Sequence, residues 1–140
     1  MRFSRFLTAA GMALALAITM SVGPLAQAKT DEDYDKLMKA VGAANGAARA
    51  AAKEQNVAGI SAEATKMVAL FKEAQAFWTA RNNAEAAEFA GAAMKHAEAL
   101  ANGTDAPSIM GAMKELGGTC QACHAKYRDK DADGFIIKKG

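Results

Sequence analysis

The chain has 140 residues, 17 of them Lys or Arg against 15 Asp or Glu, and 51% are hydrophobic. The formal excess of +2 comes from Arg2 and Arg5, so the remainder balances 15 against 15. That leaves no basic field for nucleic acid or an anionic membrane, and the length suits one small domain.

Residues 1–28 read as a secretory signal peptide. Arg2 and Arg5 form a positive start, Leu7 to Val22 is mostly apolar or small, and Ala26-Gln27-Ala28 is a small-x-small cleavage site. The apolar run is short for a membrane anchor, and the helix breakers Gly23-Pro24 follow it, ahead of the cleavage site. The expectation is a periplasmic protein, residues 29–140, with no membrane association after cleavage.

Four helical stretches follow, with no convincing strand alternation. The first is expected from about Asp31 to Gln55, opened by Asp31, Glu32 and Asp33, which complement the helix dipole. Its apolar stripe is Tyr34, Leu37, Met38, Val41, Ala44, Ala48 and Ala51, spaced by three and four. The second runs from about Ser61, a candidate cap, to Arg81, with Met67, Leu70, Phe71, Ala74, Phe77 and Trp78 inward. The third spans about Asn83 to Ala101, with Ala86, Phe89, Ala90, Ala93, Met94, Ala97 and Leu100, and Asn102-Gly103 as its C-cap pair. The fourth begins near Thr104 or Asp105, has Pro107 in its first turn, carries Ile109, Met113 and Leu116, and ends near Arg128. Short connections make neighbouring helices antiparallel, which gives an all-α, antiparallel four-helix bundle.

The fourth helix carries Cys120-Gln-Ala-Cys123-His124, the C-x-x-C-H signature of c-type haem attachment. Each thiol adds to a porphyrin vinyl group, and the histidine binds the iron from one side. Spacings of three and four put all three on one helical face. Structural zinc wants four ligands, and only the distant His96 could join these three. A thioredoxin-like pair wants a preceding strand. A disulfide would leave His124 without a role. The reading is one covalently bound haem c per chain, consistent with export. With an alanine-rich apolar side, the porphyrin should supply much of the core, and the haem-free chain should be loosely folded.

The sixth ligand decides what such a haem does. Methionine gives a low-spin iron suited to electron transfer, whereas an empty apolar pocket leaves a five-coordinate iron that binds small gases. Met38, Met67, Met94, Met110, Met113 and His96 are the candidates, and an inward methionine is ordinarily core filler.

The stretch Cys120-Gln-Ala-Cys123-His124-Ala-Lys-Tyr127-Arg128 resembles the end of the cytochrome c′ family, with its C-x-x-C-H-x-x-[YF]-R on the last helix. Leader, length and helix count resemble it too. In the low-spin branch, cytochrome c-556, the sixth ligand is a methionine early in the first helix, in a segment similar to Lys36-Leu37-Met38-Lys39. The resemblance implies His124 and Met38 as axial ligands, an electron carrier rather than an enzyme, and redox partner proteins. Its rival is a five-coordinate cytochrome c′-type protein binding nitric oxide or carbon monoxide. A peroxidase is set aside for want of a distal Arg/His pair.

Tyr127, one turn past His124, should lie by the haem. Arg128, four past His124, could pair with a propionate, and is equally placed as a solvated cation at a helix C-terminus. Gly42 and Gly46 weaken a helix by about 1 kcal/mol each, which suggests close approach of the porphyrin or a partner. The family's dimers form through the first two helices, so a homodimer there is a further expectation. After Arg128 the reading is a flexible, solvated charged tail. Asp129-Lys-Asp131-Ala-Asp133-Gly134-Phe-Ile136 matches the first positions of an EF-hand loop, but lacks its glutamate and following helix.

Overall fold

The computed structural model describes residues 30–131 and 134–138. The expected signal peptide, residues 1–28, lies outside them.

The four helices are α1 (Asp31–Lys53), α2 (Val57–Ala80), α3 (Ala84–Ala101) and α4 (Ala106–Tyr127). The all-α four-helix architecture expected from the periodicity is present. Each start is capped by a local side chain, which satisfies amide groups that have no partner within the helix. Thr30 Oγ1 accepts from the Asp33 amide at 3.2 Å while Asp33 reaches back to the Thr30 amide at 3.0 Å. Asn56 accepts from Gly59 N–H at 2.8 Å, Asn83 from Ala86 N–H at 3.0 Å, and Asp105 from Ser108 N–H at 2.8 Å.

The start of α2 differs from expectation. Asn56, not Ser61, is its cap, and Ser61 sits in the second turn with its hydroxyl donating to Ala101 O at 2.7 Å. That bond ties α2 to the end of α3. Gln55 and Asn82 turn the chain between helices with φ of 55° and 56°, in the left-handed region. Asn102 caps α3. Gly103 is required by space rather than φ, since a Cβ there would stand 2.8 Å from Ile109 Cγ1.

The stripes read from spacing face inward. Leu37, Val41, Ala44 and Ala48 of α1, and Met67, Phe71, Ala74, Phe77 and Trp78 of α2, are buried. They meet Ala86, Ala90, Ala93, Ala97 and Leu100 of α3 and Ile109, Ala112 and Leu116 of α4. Among the described residues, half of the buried hydrophobic positions are alanine. The core is therefore thin, and its few large side chains dominate its stability, at about 1.5–3 kcal/mol per fully buried residue.

Helix α1 packs on α2, α2 on α3, and α3 on α4. The pair that would close the ring, α1 and α4, shares little backbone contact, leaving a seam along the bundle. Arg49 of α1 crosses it, its guanidinium 3.8 Å from where a Cβ at Gly117 would stand.

The expectation of a flexible tail is corrected. Arg128–Lys130 (β1) and Phe135–Ile137 (β2) form a two-stranded antiparallel ribbon pairing Arg128 with Ile137, Asp129 with Ile136 and Lys130 with Phe135. Gly134 N–H donates to Asp131 Oδ1 at 3.0 Å and the Asp131 amide to Gly134 O at 2.9 Å, closing the turn. Gly134 holds φ 145°, which glycine alone adopts freely. The ribbon returns to the bundle, where the Lys138 amide donates to Tyr127 O at 2.9 Å.

Candidate functional site

The last two turns of α4 place Cys120, Cys123 and His124 on the side of the helix that borders the seam, each half-buried. Cys120 packs against the main core cluster of Val41, Phe71, Leu116 and their neighbours. The two thiols are not joined to each other. Burial pushes the Cys123 thiol up to about 11, with Cys120 beside it adding to the rise. Burial also raises Cys120, against the opposing charge of Arg49. Burial thus disfavours the thiolate at both positions in the haem-free chain. Burial lowers the pKa of His124, helped by the nearby Arg128 cation. A neutral imidazole is the form that can bind a metal ion.

These residues fit a covalently held haem. The donor set is two thiols and an imidazole from one turn of α4, where α1 and α4 share little backbone contact. Cys120 and Cys123 would hold the porphyrin edge, and His124 would supply the axial nitrogen.

Across the seam, α1 presents Tyr34 and, one turn on, Met38. Met38 is half-buried against both the main cluster and a smaller one of Leu37, Ala74 and Ala90. Met38, Met94, Met113 and Cys120 thus rim the same core cluster. Of the other candidate ligands, Met67 is fully buried, Met110 is 70% exposed, and His96 is half-buried on α3.

An aromatic group closes this end of the bundle. Tyr34 stacks on Phe77 at 4.2 Å between ring centroids and meets Trp78 edge-on at 5.4 Å. Trp78 Nε1–H donates to Tyr34 Oη at 2.9 Å. Tyr127 packs on Trp78 at 5.5 Å, and its hydroxyl donates to Glu85, which also pairs with Lys126. Tyr127 is therefore a core aromatic linked to α3, one turn from His124. Arg128 caps α4 and lies 4.0 Å over the Phe135 ring.

Gly42 and Gly46 are exposed, and no atom lies within 4 Å of a Cβ at either. Among the described residues no element approaches them closely, so contact with a neighbouring helix of the bundle does not explain them. Among the described residues, no three His, Cys, Asp or Glu side chains are grouped to hold a metal ion, and the ribbon takes the place of a calcium loop and its helix.

Sequence reasoning missed Arg49 and Phe135. Arg49 lies outside the apolar stripe, and only the crossing of α1 over Gly117 brings it beside Cys120. Phe135 was detectable as the first of three β-forming residues, Phe-Ile-Ile, after Asp-Gly turn chemistry.

No family model matches the chain, and no solved structure matches it. Over 31 residues it is 55% identical to cytochrome c-554 of Cereibacter sphaeroides (strain ATCC 17023), covering 22% of this chain and 20% of that protein. A second cytochrome c-554 of Cereibacter sphaeroides matches with the same identity over 31 residues, 23% of its length. The likeness thus spans about a fifth of each relative.

Proposed function

We propose that this chain is a c-type cytochrome that carries single electrons, of the cytochrome c-556-like branch of the cytochrome c′ family, and that it does not act as an enzyme. The observation that carries the reading is the half-buried set Cys120, Cys123 and His124, brought together within one turn at the end of α4. The local likeness to cytochrome c-554 supports a c-type cytochrome with haem c. When bound, the haem supplies an iron that cycles between ferric and ferrous. The protein's part is to hold two fixed axial ligands and exclude water, so that little reorganises when the charge changes.

In this proposal His124 and Met38 would hold the iron. What supports Met38 is its place on α1, half-buried against the same core cluster that Cys120 packs on. Tyr127 and Arg128 flank the haem from the end of α4. Electrons leave near the Cys120–Cys123 turn, to periplasmic redox proteins reached after cleavage following Ala28. The open backbone at Gly42 and Gly46 supports a homodimer through α1 and α2.

A second reading is a five-coordinate haem that binds nitric oxide or carbon monoxide. The packing of Met38 into two apolar clusters favours it, because a side chain held there is core filler. Optical spectra with and without carbon monoxide decide between the two. The electron-carrier reading expects sharp ferrous α and β bands, a ferric band near the red reporting sulfur ligation, and no change with carbon monoxide. It also expects Met38→Ala to abolish that ferric band and admit carbon monoxide. A high-spin wild-type spectrum that responds to carbon monoxide establishes the second reading instead.

A further inference from the structure

The C-terminal ribbon touches the two helices that otherwise share little contact. Its first strand continues directly from α4, and its second lies against α1. A two-stranded ribbon is marginally stable by itself in water, so these anchors are what hold it in place. On the α4 side, the Lys138 amide donates to Tyr127 O at 2.9 Å and its ammonium to Ala125 O at 3.1 Å. On the other side, Ile137 packs on the buried cluster of Phe77, Trp78, Ala86 and Ala87. Tyr34 of α1 and Tyr127 of α4 pack on that same cluster.

Tyr34 seats the start of α1 here. Its ring stacks on Phe77 at 4.2 Å between centroids, and its hydroxyl accepts from Trp78 Nε1–H at 2.9 Å. Met38 follows one turn later, and both Tyr34 and Met38 pack against the smaller cluster of Leu37, Ala74 and Ala90. At this end of the bundle α1 and α4 are therefore joined through the aromatic cluster and the ribbon, rather than by packing directly on each other.

We propose that the C-terminal ribbon is a strap that holds the start of α1 to the haem-bearing end of α4, with Ile137 as its positioning residue. This rests on the haem reading of Cys120, Cys123 and His124, and on Met38 as the sixth ligand. Fastened at Lys138 and seated at Ile137, the strap resists separation of α1 from α4 and so keeps Met38 in place as a ligand. Released at either end, it lets the start of α1 move away and opens the sixth position to an added ligand. Core filling alone would make Ile137 matter and the Lys138 amide not, whereas a strap fails when either fastening is cut.

The test uses the full-length, haem-loaded protein and three variants. Ile137→Ala removes the seat, Ile137→Val keeps a branched apolar side chain there, and Lys138→Pro removes the amide donor. Hydrogen exchange followed by NMR reads the amides of Leu37 and Met38, with the amide of Ala97 in α3 as control. Optical spectra with and without carbon monoxide read the sixth position. Ile137→Ala and Lys138→Pro are each expected to speed exchange at Leu37 and Met38 by about tenfold, as local opening without global unfolding. Both should weaken the ferric band that reports sulfur ligation and bind carbon monoxide. Ile137→Val should stay close to wild type, and Ala97 should not change. Wild-type exchange at Leu37 and Met38 in either haem-bearing variant overturns the strap alone, as does equal acceleration at Ala97. A wild type that holds haem but lacks the sulfur band overturns Met38 as a ligand, and the exchange rates then decide the strap by themselves. A wild type without covalent haem overturns the haem reading and the strap's role together.

Discussion

Trp78 Nε1–H donates a 2.9 Å hydrogen bond to Tyr34 Oη across the interface of α2 and α1, one helical turn before Met38. The Tyr34 ring lies on Phe77, whose other neighbours are Trp78 and the guanidinium of Arg81, 3.6 Å from its centroid. Arg81 in turn pairs with Asp31 at 2.5 Å. The first turns of α1 are thus clamped to the end of α2 by side chains from both helices.

Breaking that bond should be measurable. Trp78→Phe keeps a ring but leaves the partly buried Tyr34 hydroxyl without its donor, at an expected cost of about 1–3 kcal/mol. Urea denaturation of wild type, Trp78→Phe, Tyr34→Phe and the double variant gives the coupling directly. Additive effects would show that the bond contributes nothing.

Tyr34 also sets an alkaline limit. Burial pushes its hydroxyl up to about 12, with the Trp78 hydrogen bond as a smaller opposing effect. A free tyrosine titrates near 10, so the neutral form is favoured by the fold. The resulting stability is fully present below about pH 10 and is lost as pH rises toward 12. Denaturation midpoints recorded across that window should fall in wild type, and fall less in Tyr34→Phe.

Asp105 gives the corresponding acid limit at the start of α4. Its carboxylate accepts from the Ser108 amide, which holds its pKa below the usual carboxylate range. A depressed folded pKa means that the stabilisation is present above about pH 4, the value of the unfolded group, and is lost as pH falls through the folded one. Asp105→Ala should remove that acid dependence, and with it the cap. Far-UV circular dichroism during acid titration of both proteins checks it.

Two glycines should respond oppositely to alanine. At Gly103 the added Cβ meets Ile109 Cγ1 at 2.8 Å and Leu100 O at 3.4 Å, so Gly103→Ala should destabilise by about 1–3 kcal/mol. At Gly42 nothing lies within 4 Å, so Gly42→Ala should stabilise the monomer by about 1 kcal/mol through helix propensity. Thermal melts of the two variants should move in opposite directions.

Loss of the thiols should weaken the whole bundle. Because so much of the buried surface is alanine, Cys120→Ser/Cys123→Ser, unable to retain haem, should melt well below the wild type. Equal melting temperatures would mean that the helices stabilise one another without the porphyrin.

Much of this arrangement was legible in the sequence, because helical spacing reports burial. The run Leu37, Val41, Ala44, Ala48 needed only a period of 3.6 to be placed inward. Local chemistry misled where two residues competed for one role. Ser61 had the right composition for a cap, but Asn56, with Gly59 in the first turn, starts α2 five residues earlier. The ribbon was hidden because its three-residue strands are too short for alternation to show, and because the aspartates beside them suggested a solvated tail. The open seam between α1 and α4 could not be read at all, since periodicity shows which residues face inward but not which pair of helices stands apart.

The most direct test of the account is the intact mass of the exported protein after denaturation and acid–acetone extraction, measured with and without a thiol-alkylating reagent. The account predicts one haem retained per chain, Cys120 and Cys123 both inert to alkylation, and a mature chain beginning at Lys29. Haem that extracts freely, or two thiols that alkylate or pair with each other, would contradict it.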